Sequence, residues 1–190
     1  MNSPLEINLD KHAFLRWAES REGRFELKGN RVVMMAGGTR NHARIFSRVS
    51  SLLTQKLDPA KWSVTNADLA VEIGEDIRYP DVLVERLPMD GKALSTSAPV
   101  FIAEVLSPSS LALDLHEKAA EYMSLTSLEA YLVAAQDEPR AWLWQRSIEG
   151  ARAFPPRPQE FFGPQATIAL TALGVEFGLA EVYAGILPLP

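Results

Sequence analysis

Two acidic residues lie inside stretches of sequence that otherwise have the apolar composition of buried strands. Asp81 follows Pro80 in "YPDVLVE", and Glu104 interrupts the apolar run of "VFIAEVLSPSS". A buried carboxylate without a partner is costly and usually takes up a proton instead. Two carboxylates in neighbouring strands are tolerated when they share a divalent cation, because Mg²⁺ (or Mn²⁺) prefers hard oxygen ligands. We therefore predict that Asp81 and Glu104 bind a metal ion, with the backbone carbonyl of Val105 as a third ligand.

Each acid also has a simpler interpretation. Asp81 could be a turn residue that follows a proline and enters a strand. Glu104 is harder to explain in this way, because its neighbours on both sides are apolar. From the residues alone, a structural role and a functional role both stay open for Glu104.

A cation is expected from the helix that follows Glu104. Asp114, Lys118 and Tyr122 are spaced four residues apart, which places them along one stripe of a helix. If this stripe faces the strand ends, Lys118 reaches Glu104, and its charge can stabilise the negative charge that develops on a phosphodiester. The alternative is a surface pair between Lys118 and Asp114, worth about 0.2–0.5 kcal/mol, with Tyr122 in the core.

The order and spacing of these segments resemble the Uma-two family of restriction-endonuclease-like proteins, in the PD-(D/E)XK nuclease superfamily. The resemblance covers most of the chain, from about residue 24 to residue 146. It is carried by the segments "RFELKGNRVV", "NHARIFSRVSSLL", "YPDVLVE", "PVFIAEVLSPSS", "DLHEKAAEY" and "EAYLVAAQDE". The superfamily usually has a lysine two residues after the strand acid, and this chain has Leu106 at that position.

The resemblance implies a set of catalytic residues. In the usual interpretation of this family, the catalytic lysine lies on the helix that follows the strand and not on the strand itself. The resemblance therefore implies that Lys118 acts together with Asp81 and Glu104. His42 matches a histidine that the family usually has at the start of a helix, where it could contact a phosphate or the water at the metal. Glu26 matches another family position and could be an extra acid near the metal. The structural alternatives are a polar helix-start residue for His42 and an outward-facing strand acid for Glu26.

The predicted elements begin with a helix capped by Asn8 or Asp10 and a hairpin in "RFELKGNRVVMMAGG". Helical spacing of apolar residues predicts further helices from Asn41 to Leu57 and from about Leu111 to Leu125. Strands are predicted in "WSVTNADLAVEIG", "IRYPDVLVER", "PVFIAEVLS", "EAYLVAA" and "RAWLWQR", the last two paired with each other, and a proline-rich loop in "ARAFPPRPQEFFGPQ".

This order predicts an α/β fold with a mixed central β-sheet flanked by helices, which the resemblance makes restriction-endonuclease-like. The middle strands are apolar on both sides, so helices should cover both faces of the sheet. The length of 190 residues predicts one domain, 1–190, with its core at about 24–146.

Composition limits the class of protein. The formal net charge is −5, which argues against tight non-specific DNA binding, although "GGTRNHARIFSRVSSLLTQK" contains basic residues and no acid. The chain has no cysteine, which excludes disulfides and is consistent with a reducing cytoplasm. No apolar run approaches the roughly 18–20 residues that cross a bilayer, and the N-terminal residues lack a secretory signal. We therefore predict a cytoplasmic protein that does not bind membranes.

Two functions are consistent with these patterns. The first is a Mg²⁺-dependent endonuclease that hydrolyses DNA phosphodiester bonds by metal-activated water, with DNA implied by the resemblance alone. Cleavage of both strands would need two sites, so a homodimer is expected. The second is a catalytically silent protein that keeps the nuclease fold and acts as a binding or accessory dimer. The negative charge and the displaced lysine favour the second function, and the retention of both acids favours the first.

Overall fold

The computed structural model describes residues 9–35, 37–106, 113–147 and 152–186. The Asn8 cap, the helix start predicted at Leu111 and the side chain of Asp114 lie outside the described residues. Asp10 caps the first helix, because its side chain accepts a hydrogen bond of 2.7 Å from the backbone N–H of Ala13.

The described ranges contain four α-helices and thirteen strands. The helices are α1 (Lys11–Glu19), α2 (Arg40–Lys56), α3 (Lys118–Met123) and α4 (Leu179–Tyr183), with a π-helical turn, Leu113–Glu117, leading into α3. The strands are β1 (Phe25–Lys28), β2 (Arg31–Met34), β3 (Trp62–Asn66), β4 (Ala70–Ile73), β5 (Asp76–Arg78), β6 (Val82–Arg86), β7 (Ser95–Thr96), β8 (Phe101–Val105), β9 (Ala130–Ala134), β10 (Arg140–Gln145), β11 (Gln159–Phe162), β12 (Thr167–Leu170) and β13 (Val175–Gly178). Within these ranges, no helix is both long and apolar enough to cross a bilayer.

The central sheet has six strands in the order β11-β10-β9-β8-β6-β3. The pair β8 and β9 is parallel, and the other neighbours are antiparallel. The sheet is therefore mixed, as predicted, and the register Leu143↔Leu132 confirms the predicted pairing of the last two strands. A five-stranded sheet in the order β2-β1-β5-β4-β7 and the β12–β13 hairpin accompany it, and β1 with β2 forms the predicted hairpin.

Helices cover both faces of the central sheet, as the apolar strands predict. On one face, Ile45 and Leu53 of α2 belong to the same buried cluster as Val105 of β8. On the other face, Tyr122 of α3 shares a buried cluster with Ile102 of β8. Side chains alternate between the two faces along a strand, so Glu104 points to the same face as Ile102 and away from Val105. The side chain of Glu104 is therefore on the α3 face.

Two segments that were each predicted as one strand are two strands in different sheets. "WSVTNADLAVEIG" breaks at Ala67, whose φ of 27° is outside the β region, so β3 lies in the central sheet and β4 in the five-stranded sheet. "IRYPDVLVER" breaks at Pro80, which has no N–H to continue a ladder, so β5 and β6 also separate. This second break places Asp81 immediately before β6, at one end of the central sheet.

The segment predicted as a proline-rich loop contains a strand. β11 pairs antiparallel with the edge of β10, with Phe161 opposite Ala141. Three of the prolines precede the strand and Pro164 follows it, so none of them interrupts the ladder. The available edge of β10 therefore decides the conformation, which local composition could not indicate.

Candidate active site

Glu104 is held by two residues of α3. Its Oε1 atom lies 3.0 Å from the ammonium nitrogen of Lys118 and accepts a hydrogen bond of 3.0 Å from the hydroxyl of Tyr122. Glu104 is 4% exposed and Lys118 is 8% exposed, so the ion pair is buried. The structure thus brings together the strand acid Glu104 and the helix lysine Lys118, as expected if the stripe of α3 that carries Lys118 and Tyr122 faces the strands.

The local sequence explains this arrangement. Lys118 and Tyr122 are one turn apart in α3, so both side chains leave the helix on the same face, toward the sheet. Burial raises the pKa of the Tyr122 phenol well above its ordinary value, and the charge of Glu104 adds to this effect. The phenol therefore stays protonated and donates its hydrogen to Glu104.

Asp81 lies immediately before β6, the strand that pairs with the strand of Glu104. The pairing of these two strands ends at Val82↔Ala103, so Asp81 and Glu104 each lie one residue beyond the last pair. Asp81 is contacted from the α2 side by His42, and Glu104 from the α3 side by Lys118. The Oδ2 atom of Asp81 accepts a hydrogen bond of 2.8 Å from the backbone N–H of Val105, so the carboxylate is fixed at the end of this strand pair.

Val105, the predicted third ligand, is the last residue of β8. Leu106 donates its N–H to Ala134 of β9, so the polar backbone groups of Val105 face the other way, toward β6. The ladder between β6 and β8 ends at Val82↔Ala103, and the Val105 N–H donates to Asp81. The role of the Val105 carbonyl as a metal ligand stays a prediction.

His42 approaches Asp81 from the start of α2. Its Nε2 atom lies 3.1 Å from Asp81 Oδ2. The Thr39 hydroxyl caps the helix by accepting a hydrogen bond of 3.2 Å from the backbone N–H of His42. The imidazole makes an edge contact with Phe46, with ring centroids 5.9 Å apart. The helix start therefore orients the histidine toward the acid.

We predict that Gly38→Ala displaces His42 from Asp81. A Cβ atom at Gly38 would lie 2.7 Å from Nδ1 and 2.9 Å from Cγ of His42, which is too close, so the imidazole must move at a cost of about 1–3 kcal/mol. A Cβ at Gly37 would meet no atom within 4 Å, which makes Gly37→Ala a matched control. We expect the imidazole NMR resonances of His42 to shift in Gly38→Ala and not in Gly37→Ala. Identical His42 resonances in both variants would contradict the prediction.

Glu26 belongs to a second buried network, centred on Arg78. Its Oε2 atom lies 2.7 Å from Nη1 of Arg78, and its Oε1 atom accepts a hydrogen bond of 3.3 Å from the backbone N–H of Tyr79. Arg78 also makes two parallel contacts with Glu121 of α3, at 2.9 and 3.1 Å. Although burial opposes the charged form, the two carboxylates raise the pKa of Arg78 above its ordinary value. The role of Glu26 as an extra acid near a metal stays a prediction.

Lys28 extends this network to the outside of α3. It lies 3.2 Å from Oε1 of Glu121 and contacts Glu117 directly. The contact with Glu117 raises the pKa of Lys28, and Lys28 lowers the pKa of Glu117. Arg78 and Glu121 were not among the residues predicted for the site, although the arginine shortly before Asp81 is visible in "DIRYP".

Comparison with known proteins places this site in a family. The sequence model of Uma2, described as "Putative restriction endonuclease", matches residues 12–180. The chain belongs to the Uma2 family. The matched range includes all six predicted site residues of this Uma2 chain, namely Glu26, His42, Asp81, Glu104, Val105 and Lys118.

Two proteins of Synechocystis sp. (strain ATCC 27184 / PCC 6803 / Kazusa) are similar in sequence. The uncharacterized protein slr1290 is 28% identical over 183 residues, which cover 94% of this Uma2 chain and 93% of slr1290. The uncharacterized protein sll1609 is 28% identical over 128 residues, which cover 65% of this chain and 72% of sll1609.

A solved structure has the same fold. The crystal structure of "a putative nuclease belonging to DUF820" from Anabaena variabilis ATCC 29413 aligns with a TM-score of 0.74 and 15% identity. The alignment covers 93% of this Uma2 chain and 98% of that chain. The predicted fold class, restriction-endonuclease-like with a mixed sheet flanked by helices, is therefore confirmed.

The predicted ligands supply oxygen atoms, the donor type that a hard divalent cation prefers. Among the residues that the structure describes, no group of three or more His, Asp or Glu side chains converges as a metal cluster. The candidate ligands remain the ones predicted from the sequence, namely Asp81, Glu104 and the Val105 carbonyl. Mg²⁺ is commonly bound by one or two carboxylates, with waters completing its shell. Zinc usually takes three or four protein ligands rich in nitrogen and sulfur, which this set does not provide.

Proposed function

We propose that this Uma2 protein is a Mg²⁺- or Mn²⁺-dependent endonuclease that hydrolyses phosphodiester bonds of DNA. The observation that carries the proposal is the buried contact of 3.0 Å between Lys118 and Glu104, on the strand next to Asp81. This contact joins one acid and the lysine of the proposed site, although Leu106 occupies the usual strand position of the lysine. The family description and the shared fold support a nuclease.

Asp81, Glu104 and the Val105 carbonyl would hold the cation. When bound, Mg²⁺ or Mn²⁺ polarises a phosphodiester and lowers the pKa of an attacking water. The ligands are fixed before any substrate arrives, because Asp81 is held by the Val105 N–H and by His42, and Glu104 by two residues of α3. Such preorganisation removes the cost of arranging charged groups during the reaction.

Lys118 supplies positive charge where negative charge develops. Its ammonium group is mostly withdrawn from water, so its electrostatic effect is screened less than that of a surface lysine. It stabilises charge on the phosphoryl oxygens and orients the attacking water. Tyr122, whose phenol stays protonated, keeps Glu104 in place as a hydrogen-bond donor and does not act as a base.

His42 has two proposed roles, one toward Asp81 and one toward the substrate. Its Nε2 contact and the Val105 N–H share Asp81 Oδ2, so both hold the same oxygen in place. From the start of α2, the imidazole can also contact a phosphate oxygen. We further propose that the protein acts as a homodimer on duplex DNA, because cutting both strands requires two sites and two-fold dimers are the commonest homo-oligomers.

The alternative is a catalytically silent member of the family that binds a partner as an accessory dimer. The net charge of −5 and the absence of the usual strand lysine favour this second function. It predicts no hydrolysis at any metal concentration.

The test is nicking of supercoiled plasmid DNA in Mg²⁺ or Mn²⁺ by the wild type and by Glu104→Gln. We expect the wild type to nick and linearise the plasmid and Glu104→Gln to lose activity by about 1,000-fold, since a neutral amide binds a cation poorly. Glu85→Gln is a matched control, because Glu85 is also a buried acid of the central sheet, in β6, at 6% exposure. Circular dichroism confirms that each variant is folded.

Two results would reject the endonuclease. A wild type that leaves the plasmid intact in both metals supports the accessory function. Equal loss of activity in Glu104→Gln and Glu85→Gln would show that the effect comes from any buried acid and not from the proposed site.

A further inference from the structure

The six-residue helix α3 carries two residues of the site but cannot hold its own position. Helices shorter than about 12–15 residues are marginal in water, and α3 has no side-chain hydrogen bond at its N-terminal cap. Its placement must therefore come from tertiary contacts. Among the described contacts of α3 with other elements are three of Glu121, two with Arg78 and one with Lys28.

Arg78 joins α3 to the part of the chain that leads to Asp81. The guanidinium is 3% exposed and makes a two-point contact with Glu121, the residue adjacent to Tyr122 and three residues after Lys118. On its other side it contacts Glu26 at 2.7 Å. In sequence, Arg78 is separated from Asp81 only by two residues, Tyr79 and Pro80.

Glu26 fixes the same connection from the opposite side. One of its oxygens contacts Arg78, and the other accepts the N–H of Tyr79. Both carboxylate oxygens are therefore engaged by the last residue of β5 and the residue that follows it. In this position Glu26 acts on the site through Arg78 and Tyr79.

We infer that Arg78 is a positioning residue for the site, and that with Glu26 and Glu121 it sets the distance between the helix carrying Lys118 and the strands carrying Asp81 and Glu104. The inference rests on the proposed function for its kinetic consequence, but its structural content is independent of activity. The planar fork of arginine matches two carboxylate contacts in a way that a lysine ammonium cannot. Arg78→Lys keeps the charge and loses this geometry.

The first experiment needs no activity. Lysines are labelled with a limiting amount of acetic anhydride, and the rate of modification of Lys118 is compared by mass spectrometry with that of Lys61, whose side chain is 72% exposed. We expect the Lys118/Lys61 ratio to rise at least about fivefold in Arg78→Lys, because local opening of α3 exposes the amine. Arg86→Lys is the control, since Arg86 lies over the Trp62 ring, 4.4 Å from its centroid, outside this network.

The second experiment separates positioning from metal or substrate binding. With a duplex oligonucleotide, Arg78→Lys should lower kcat by about 100-fold, as for a displacement of about 1 Å at a reacting centre. KM and the dissociation constant for Mn²⁺ should stay within about threefold of the wild type, because Asp81 and Glu104 remain. Glu121→Gln, which keeps the shape of the side chain, should reproduce both effects if Arg78→Lys fails to fold.

The outcomes are distinct. Unchanged Lys118 labelling in Arg78→Lys and in Glu121→Gln overturns the inference, and so does an equal rise for all lysines, which indicates general destabilisation. Loss of Mn²⁺ binding in Arg78→Lys also overturns it. An inactive wild type rejects the proposed function alone, and the labelling ratio then decides the positioning role.

Discussion

Lys118→Met is expected to lower the free energy of unfolding by about 3–5 kcal/mol and to remove metal-dependent hydrolysis. The Lys118 and Glu104 side chains are 10% and 5% exposed, so neither partner is well solvated. Methionine fills a similar volume, so the loss comes from the Glu104 carboxylate, which keeps the Tyr122 hydrogen bond but loses the ammonium. Urea unfolding followed by circular dichroism measures the change.

Two further variants establish that the buried ion pair is responsible. Lys61→Met removes an exposed ammonium, 72% exposed, and should change stability by no more than about 0.5 kcal/mol. The double variant Lys118→Met with Glu104→Gln should recover part of the lost stability, because the buried charge is gone, and should stay inactive. A Lys118→Met protein as stable and as active as the wild type would show that this contact has neither role.

Magnesium is expected to raise the melting temperature of the wild type by roughly 5–10 °C relative to EDTA. A ligand that binds only the folded state at 100 times its dissociation constant adds about 2.7 kcal/mol of stability. For a protein of this size each kcal/mol corresponds to about 2–4 °C. The effect requires both acids as ligands, so Asp81→Asn should abolish most of the shift.

The control for this prediction is another aspartate that lies outside the site. The side chain of Asp68 is 88% exposed, and Asp68→Asn should keep the full Mg²⁺ shift. Differential scanning calorimetry with and without Mg²⁺ compares the three proteins. An equal shift in Asp81→Asn and the wild type would mean that the cation binds elsewhere, and a wild type indifferent to Mg²⁺ would remove the metal site.

The elements that local patterns specify were predictable from the sequence. The apolar spacing of α2 and the Gly29-Asn30 turn between β1 and β2 each act over a few residues, and both elements form as expected. The division of strands between two sheets was not predictable in this way. It depends on a single residue in each case, Ala67 and Pro80, and on distant partners that complete the ladders.

The same distinction holds for the site. Glu104 and Lys118 are separated by 14 residues and by one strand-to-helix connection, so spacing alone could bring them together. Arg78 is separated from Glu26 by 52 residues and from Glu121 by 43. Nothing in the sequence around Arg78 indicates these partners, because the five-stranded sheet and α3 must both be in place before the three side chains meet.

The measurement that tests the shared cation most directly is an anomalous diffraction map from crystals soaked in Mn²⁺. We predict one strong peak between Asp81 and Glu104, about 2.0–2.6 Å from a carboxylate oxygen of each and from the Val105 carbonyl oxygen. An empty map at this position under saturating Mn²⁺, or a peak bound only by other residues, would contradict the proposal that these two strands share a metal ion.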